Sequence, residues 1–197
     1  MRHATPLAII YLVFAVTISP VPATPKKTHI PHMALLVDVS GSMWGQHAKA
    51  VAEAIKIAEF STDDGRLCVW SFDDSPHCWK EGWVCTPDPR ALEKARVWLS
   101  EQKPDLGTQV IPALRKVLSS KRSPLYVVLV TDAEFDETLD EINKAVEVAQ
   151  GKREKPASIS IISLCESKPG LKALAERWHG EYRAVPPKPE APFDWGW

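Results

Sequence analysis

The chain has 197 residues, 45% of them apolar and 25% charged, with a formal net charge of -1. That is the size of one ordinary domain with enough apolar residues for a core. It excludes a collagen-like chain, a wholly disordered one, and one held to DNA or RNA by net positive charge. Prolines number 17, against a usual level of roughly 5%, yet five lie in residues 1–31 and four in residues 186–197. The stretch between them is ordinary in proline.

Met1-Arg2-His3 is a short positive start, and Pro6 to Ile18 follows without a charge. As a helix those 13 residues would span about 20 Å, short of a bilayer core of roughly 30 Å. The length and flanks fit the apolar region of a secretory signal peptide, with Val21-Pro22-Ala23 offering small residues for cleavage after Ala23. Residues 1–23 are therefore expected to be a signal peptide or an N-terminal membrane anchor, and residues 24–31 a tether. The body of the protein would then be exported, to a periplasmic or extracellular space or facing outward from a membrane. Contact with a membrane is expected only through an uncleaved anchor.

From residue 32 strands and helices alternate. Met33 to Val37 is a continuous apolar run, the pattern of a parallel strand covered on both faces. Residues 46–60 carry Val51, Ala54, Ile55 and Ala58 at helical spacing. Residues 67–72 read as the second strand. Asp73 to Pro76 is a turn signal, and residues 78–84 could return antiparallel as an edge strand. Pro89 suits the first turn of a helix over 89–101, and 109–119 reads as another. Tyr126 to Val130 is the strongest strand. Asp136 to Gln150 reads as a helix opened by two acids. A strand at 158–164, a helix at 169–178 and a strand at 181–185 complete the series. The expected fold is α/β: a three-layer, Rossmann-like open sheet, mostly parallel with one antiparallel edge strand, and helices on both faces.

Ligands of such sheets bind at the carboxyl ends of the strands. Two of the expected strands end at an aspartate, Asp38 and Asp132. Asp38-Val39-Ser40-Gly41-Ser42 places three oxygen-bearing side chains at i, i+2 and i+4, and oxygen donors without sulfur or imidazole suit a hard cation, magnesium above all. The plainer reading makes Ser42 the N-cap of the next helix with Asp38 as a nearby counter-charge; both can hold together. His47 sits one turn inside that helix, either on its surface or near the metal. Trp44 either packs under the helix start or stands at the rim. His32 and His77 have no partner at zinc spacing.

The run Asp38-Val39-Ser40-Gly41-Ser42-Met43 resembles the first motif of the von Willebrand factor type A domain, with its Asp-x-Ser-x-Ser metal-ion-dependent adhesion site. Leu106-Gly107-Thr108 is similar to the Gly-Gly-Thr that supplies a further ligand, with Leu106 in a glycine place. Thr131-Asp132-Ala133 is similar to the closing Thr-Asp-Gly, with Ala133 in a glycine place. The resemblance covers residues 32–185, with 70 residues from Asp38 to Thr108 and 24 from Thr108 to Asp132. It implies that Asp38, Ser40, Ser42, Thr108 and Asp132 bind Mg2+ (or Mn2+), and that a Glu or Asp of a partner protein completes the coordination. Trp44, Leu106 and Ala133 would form the rim the partner meets.

The function implied is metal-dependent protein binding, for adhesion or assembly, without catalysis. The alternative is a magnesium-dependent phosphoester hydrolase using Asp38, which lacks the Asp-x-Asp arrangement because position 40 is serine. A short exported module of this kind is expected, by analogy, of bacteria.

Cys68, Cys78, Cys85 and Cys165 are even in number, as export permits, and Cys78 and Cys85 bracket a tight segment that makes them the first choice of pair. Residues 186–197, PPKPEAPFDWGW, leave no room for a helix and read as a proline-rich tail, extended or disordered, with three aromatics that could fold back on the domain or dock elsewhere.

Overall fold

An apolar run such as Met33 to Val37 can be buried at every position only in a strand with both faces covered. The computed structural model, which describes residues 32–59, 65–80, 83–85, 88–105, 107–120 and 124–186, places that run at the centre of a sheet. The elements in chain order are β1 (His32–Asp38), α1 (His47–Glu59), β2 (Arg66–Phe72), β3 (Pro76–Cys78), β4 (Val84–Cys85), α2 (Pro89–Glu101), α3 (Val110–Leu118), β5 (Tyr126–Thr131), α4 (Leu139–Gln150), β6 (Ser158–Ser163), α5 (Pro169–Arg177) and β7 (Tyr182–Ala184). The expected signal or anchor, the tether up to residue 31 and the tail from residue 187 lie outside the described residues. No helix among the described residues is long and apolar enough to cross a membrane.

The strand order is β3-β2-β1-β5-β6-β7, with β4 also paired to β2. β2, β1, β5, β6 and β7 run parallel, and β3 and β4 are antiparallel to β2. The edge strand expected over 78–84 is thus two short pieces. Their register sets Cys78 opposite Trp70 and Cys85 opposite Arg66. Four residues of β2 separate those positions, about 13 Å at 3.3 Å per residue, while bridged cysteines have Cα atoms within about 7 Å. The expected Cys78–Cys85 pairing is therefore overturned by the register.

Alternate side chains of the strands feed two cores. Ala34, Leu36, Trp70, Phe72, Leu129 and Ile161 pack with α3, α4 and α5. Met33, Leu35, Val37, Val69, Val130 and Ile162 pack with α1 and α2. Local chemistry starts the helices: Asp88 accepts from Arg90 N ahead of Pro89, and Thr138 and Glu141 form a reciprocal capping box on α4.

Because of that box, α4 begins at Leu139 and not at Asp136. Asp136 and Glu137 turn instead to the start of α3. Glu137 accepts from Val110 N and Ile111 N at 3.2 and 2.9 Å, and Asp136 accepts from Thr108 N at 3.0 Å. Their negative charge thus meets the N-terminus of α3, two elements away in sequence.

Candidate metal centre

From β1 the chain passes to β2 on one side and, later, to β5 on the other. The crevice between the carboxyl ends of β1 and β5 is the place where such a sheet leaves room for a ligand. Asp38 closes β1 and Asp132 follows β5 directly, so the two carboxylates flank that crevice. Asp38 is fully buried and Asp132 nearly so.

After Asp38 the backbone N–H of Val39 donates to Phe72 O at 2.8 Å, holding the loop to the sheet. Gly41–Met43 is a single 3-10 turn, anchored by the buried Met43 side chain, and it precedes α1. Ser42 therefore lies inside this turn and does not cap α1. The turn brings the Ser40 and Ser42 hydroxyls to 3.1 Å from each other. One carboxylate oxygen of Asp38 accepts from Ser40 N at 2.9 Å, and the other accepts from the Thr131 hydroxyl at 2.6 Å.

Burial lifts the Asp38 carboxyl from 3.8 to about 6; the bonds from Ser40 and Thr131 oppose the rise and the charge of Asp132 adds to it. On the β5 side, Glu134 N donates to Asp132 at 3.2 Å and Ala133 N donates to the Thr131 hydroxyl at 2.9 Å. Ala133 has φ 68, a left-handed conformation that costs a non-glycine residue about 1–2 kcal/mol. Its carbonyl accepts from Lys168 Nζ at 3.1 Å.

Thr108 arrives on a third segment. Asp105 N donates to Val39 O at 3.1 Å and Asp105 bridges Ser40, tying this segment to the β1 loop. Gly107 takes φ 87, and Thr108, 6% exposed, is held through its N–H to Asp136 and its carbonyl from Asp136 N. Gln109 N donates to Asp73 O, so the β2–β3 turn also supports it. Leu106, expected at the rim, lies outside the described residues.

Trp44, next to the serine loop in the chain, is 73% exposed and so does not pack under the helix start. His47 is not the exposed surface residue of its first reading: the ring is half-buried, and its Nε2–H donates to Leu99 O at 3.0 Å, joining α1 to the end of α2. Burial pulls its pKa down, and the bond to Leu99 O opposes that shift in part. Thr131, Asp136 and Glu137 were not among the expected site residues. The Thr-Asp pair contained the signal for Thr131, whereas Asp136 and Glu137 act across a distance that periodicity cannot show.

The donor set suits a hard cation. Two buried carboxylates lie close enough to repel, and among the described residues neither has an ion-pair partner. Among those residues no three of His, Cys, Asp and Glu converge, so further oxygen donors to such an ion would have to be hydroxyls such as those of Ser40, Ser42 and Thr108. Two negative charges and neutral oxygens balance one divalent ion without over-neutralising it.

A sequence profile described as von Willebrand factor type A domain matches residues 32–184. No curated protein sequence matches the chain significantly. Among solved structures, a von Willebrand factor type A protein from Catenulispora acidiphila is similar at TM-score 0.60 and 20% identity, covering 80% of this chain. This chain spans only 39% of that protein. The SpRpn10 VWA domain matches at TM-score 0.62 and 12% identity, covering 82% of this chain and 90% of its own. The manganese-loaded TRAP protein of Plasmodium vivax matches at TM-score 0.53 and 17% identity, covering 66% of this chain and 56% of its own. At these identities the likeness to solved structures concerns the fold.

Proposed function

The chain belongs to the von Willebrand factor type A domain family, and on that premise we propose that it is a protein-binding module whose contact is made through a divalent cation. Asp38, Ser40, Ser42, Thr108 and Asp132 hold Mg2+ or Mn2+, some of them through water. The observation that carries this reading is the pair of buried carboxylates, Asp38 and Asp132, at the crevice between β1 and β5, with no cationic side chain among the described residues to pair them. The manganese in the similar Plasmodium vivax TRAP protein supports it.

The bound ion supplies an electrophilic position that a carboxylate oxygen of a partner fills. The chain's own residues do the rest. The sheet fixes both aspartates, Thr131 and Ser40 N orient Asp38, and the serine and threonine hydroxyls supply oxygen without charge. Trp44, exposed beside this position, offers the partner an apolar contact flanking its acid. The partner is a protein presenting Glu or Asp on a protruding loop, met in a periplasmic or extracellular space.

Asp38 is ill placed to act as the nucleophile of a phosphoester hydrolase, since it is fully buried and both its oxygens already accept hydrogen bonds. Capture of partners on the immobilised full chain, with magnesium and with chelator, tests the proposal. A partner retained only with magnesium, and lost with Trp44→Ala while the metal still binds, is the expected result. Retention independent of metal contradicts it.

A further inference from the structure

The two faces of the sheet are covered unequally. α3, α4 and α5 pack on one face, while on the other α1 lies over β1 and β5 and α2 lies beside α1. Among the described residues no helix lies over β6 and β7 on this second face. A groove of about 300 Å3 runs there, walled by Ile57 of α1 and floored by Tyr126, Val128, Ser158, Ser160 and Arg183. Ile57 and Tyr126 are only partly buried, although both pack against the second core.

The chain leaves the sheet at the carboxyl end of β7, opposite Ser163, at the other end of this face from Tyr126 and Ser158. Val185 N donates to Ser163 O, and the Val185 side chain packs into the core of the α1 face. Lys49 Nζ, near the start of α1, then donates to the carbonyls of Val185 and Pro186 at 2.5 and 2.7 Å. Residues 187–197, PKPEAPFDWGW, follow from that fixed point. Their prolines favour an extended chain of about 3.1 Å per residue, which carries Phe193 about 22 Å from Pro186. The face from Ser163 down to Ser158 is about 17 Å long at 3.3 Å per residue.

We propose that residues 187–197 fold back down this face and seat Phe193 and Trp195 in the groove between α1 and β5–β6–β7, closing the second core in place of a helix. The alternation in β6 agrees with such an occupant. Ile159 and Ile161 point to the helix-covered face, whereas Ser158 and Ser160 face the groove; the Ser160 hydroxyl accepts from Glu181 N at 3.0 Å and keeps its own O–H to donate to a carbonyl of an extended chain. Aromatic side chains spaced along an extended segment can bury apolar area without helical periodicity. The inference is independent of the metal.

The test is hydroxyl-radical footprinting of the full chain, read by mass spectrometry, against a triple variant Phe193→Ser, Trp195→Ser, Trp197→Ser. These positions lie outside the described fold. Tyr126 and Ile57 are expected to become several-fold more reactive in the variant, and the melting temperature to fall by several degrees. Ile57→Lys, placed on the groove wall, is expected to raise the reactivity of Trp195 in the otherwise unchanged chain. Unaltered Tyr126 reactivity in the triple variant overturns the proposal. Protection that appears only as protein concentration rises also overturns it, assigning the groove to a second copy.

Discussion

The hydroxyl of Thr131, at the end of β5, donates to the carboxylate of Asp38, at the end of β1, across 2.6 Å in a fully buried setting. The same hydroxyl accepts from Ala133 N, so it fixes the loop that carries Asp132 while it orients Asp38. One side chain outside the proposed ligand set thereby holds both acids in relation to each other.

Thr131→Val keeps the shape and removes the donor. A hydrogen bond to a charged group contributes about 1.5–3 kcal/mol, so the variant is expected to lose about 2 kcal/mol at pH 7. The loss should shrink at pH 4, where Asp38 carries a proton in either protein. Urea unfolding at the two pH values, without metal, reads both effects.

The metal-free protein should also become more stable as pH falls from 7 to 4 through this one site. Asp38 holds its proton up to about 6 in the fold against 3.8 as its ordinary value. An acid whose folded pKa is raised costs nothing below the unfolded value. It destabilises progressively as pH climbs between the two, reaching a cost on the order of 3 kcal/mol above the folded value. Other carboxylates titrate over the same range, so the measurement is the difference between the native chain and Asp38→Asn in chelator. The stability of Asp38→Asn relative to native should rise from pH 4 to pH 7. A bound cation needs the ionised carboxylate, and its affinity should fall as pH drops below about 6.

Gly107→Ala probes the loop that presents Thr108. A Cβ there would meet a carboxylate oxygen of Asp74 at 1.5 Å, but that side chain is exposed and can swing away. The φ of 87 remains, and costs a non-glycine residue about 1–2 kcal/mol. Asp74→Ala combined with Gly107→Ala should therefore not restore the native melting temperature.

Glu137→Ala leaves the first N–H groups of α3 without their acceptor, a loss comparable to removing an N-cap, about 1 kcal/mol. For a domain of this size that lowers the melting temperature by about 2–4 °C. Glu137→Gln, which keeps an acceptor oxygen but loses the charge at the helix N-terminus, should fall between. Thermal unfolding of the two variants gives the order.

Where chemistry is local, the sequence carried the structure. Pro89 marks the start of α2, the apolar run at Tyr126 becomes β5, and Asp38 and Asp132 stand at the strand ends their motifs placed them on. Misreadings arise where a side chain acts on a distant element. Asp136 and Glu137 have the composition of a helix start, and they serve one, but it is that of α3. His47 has the spacing of a helix-surface residue, and its partner, Leu99 O, lies 52 residues away. Cys78 and Cys85 are near in sequence and lie opposite different residues of β2, a matter of register that spacing does not carry.

The central claim is that the crevice between Asp38 and Asp132 holds a divalent cation. Calorimetric titration of Mg2+ and Mn2+ into the full chain at neutral pH, beside Asp38→Asn and Asp132→Asn, tests it most directly. The account predicts saturable binding of one ion, accompanied by a rise in melting temperature, with both effects lost in each variant. A native chain that gives neither heat nor thermal shift with either ion, while folded, would contradict it.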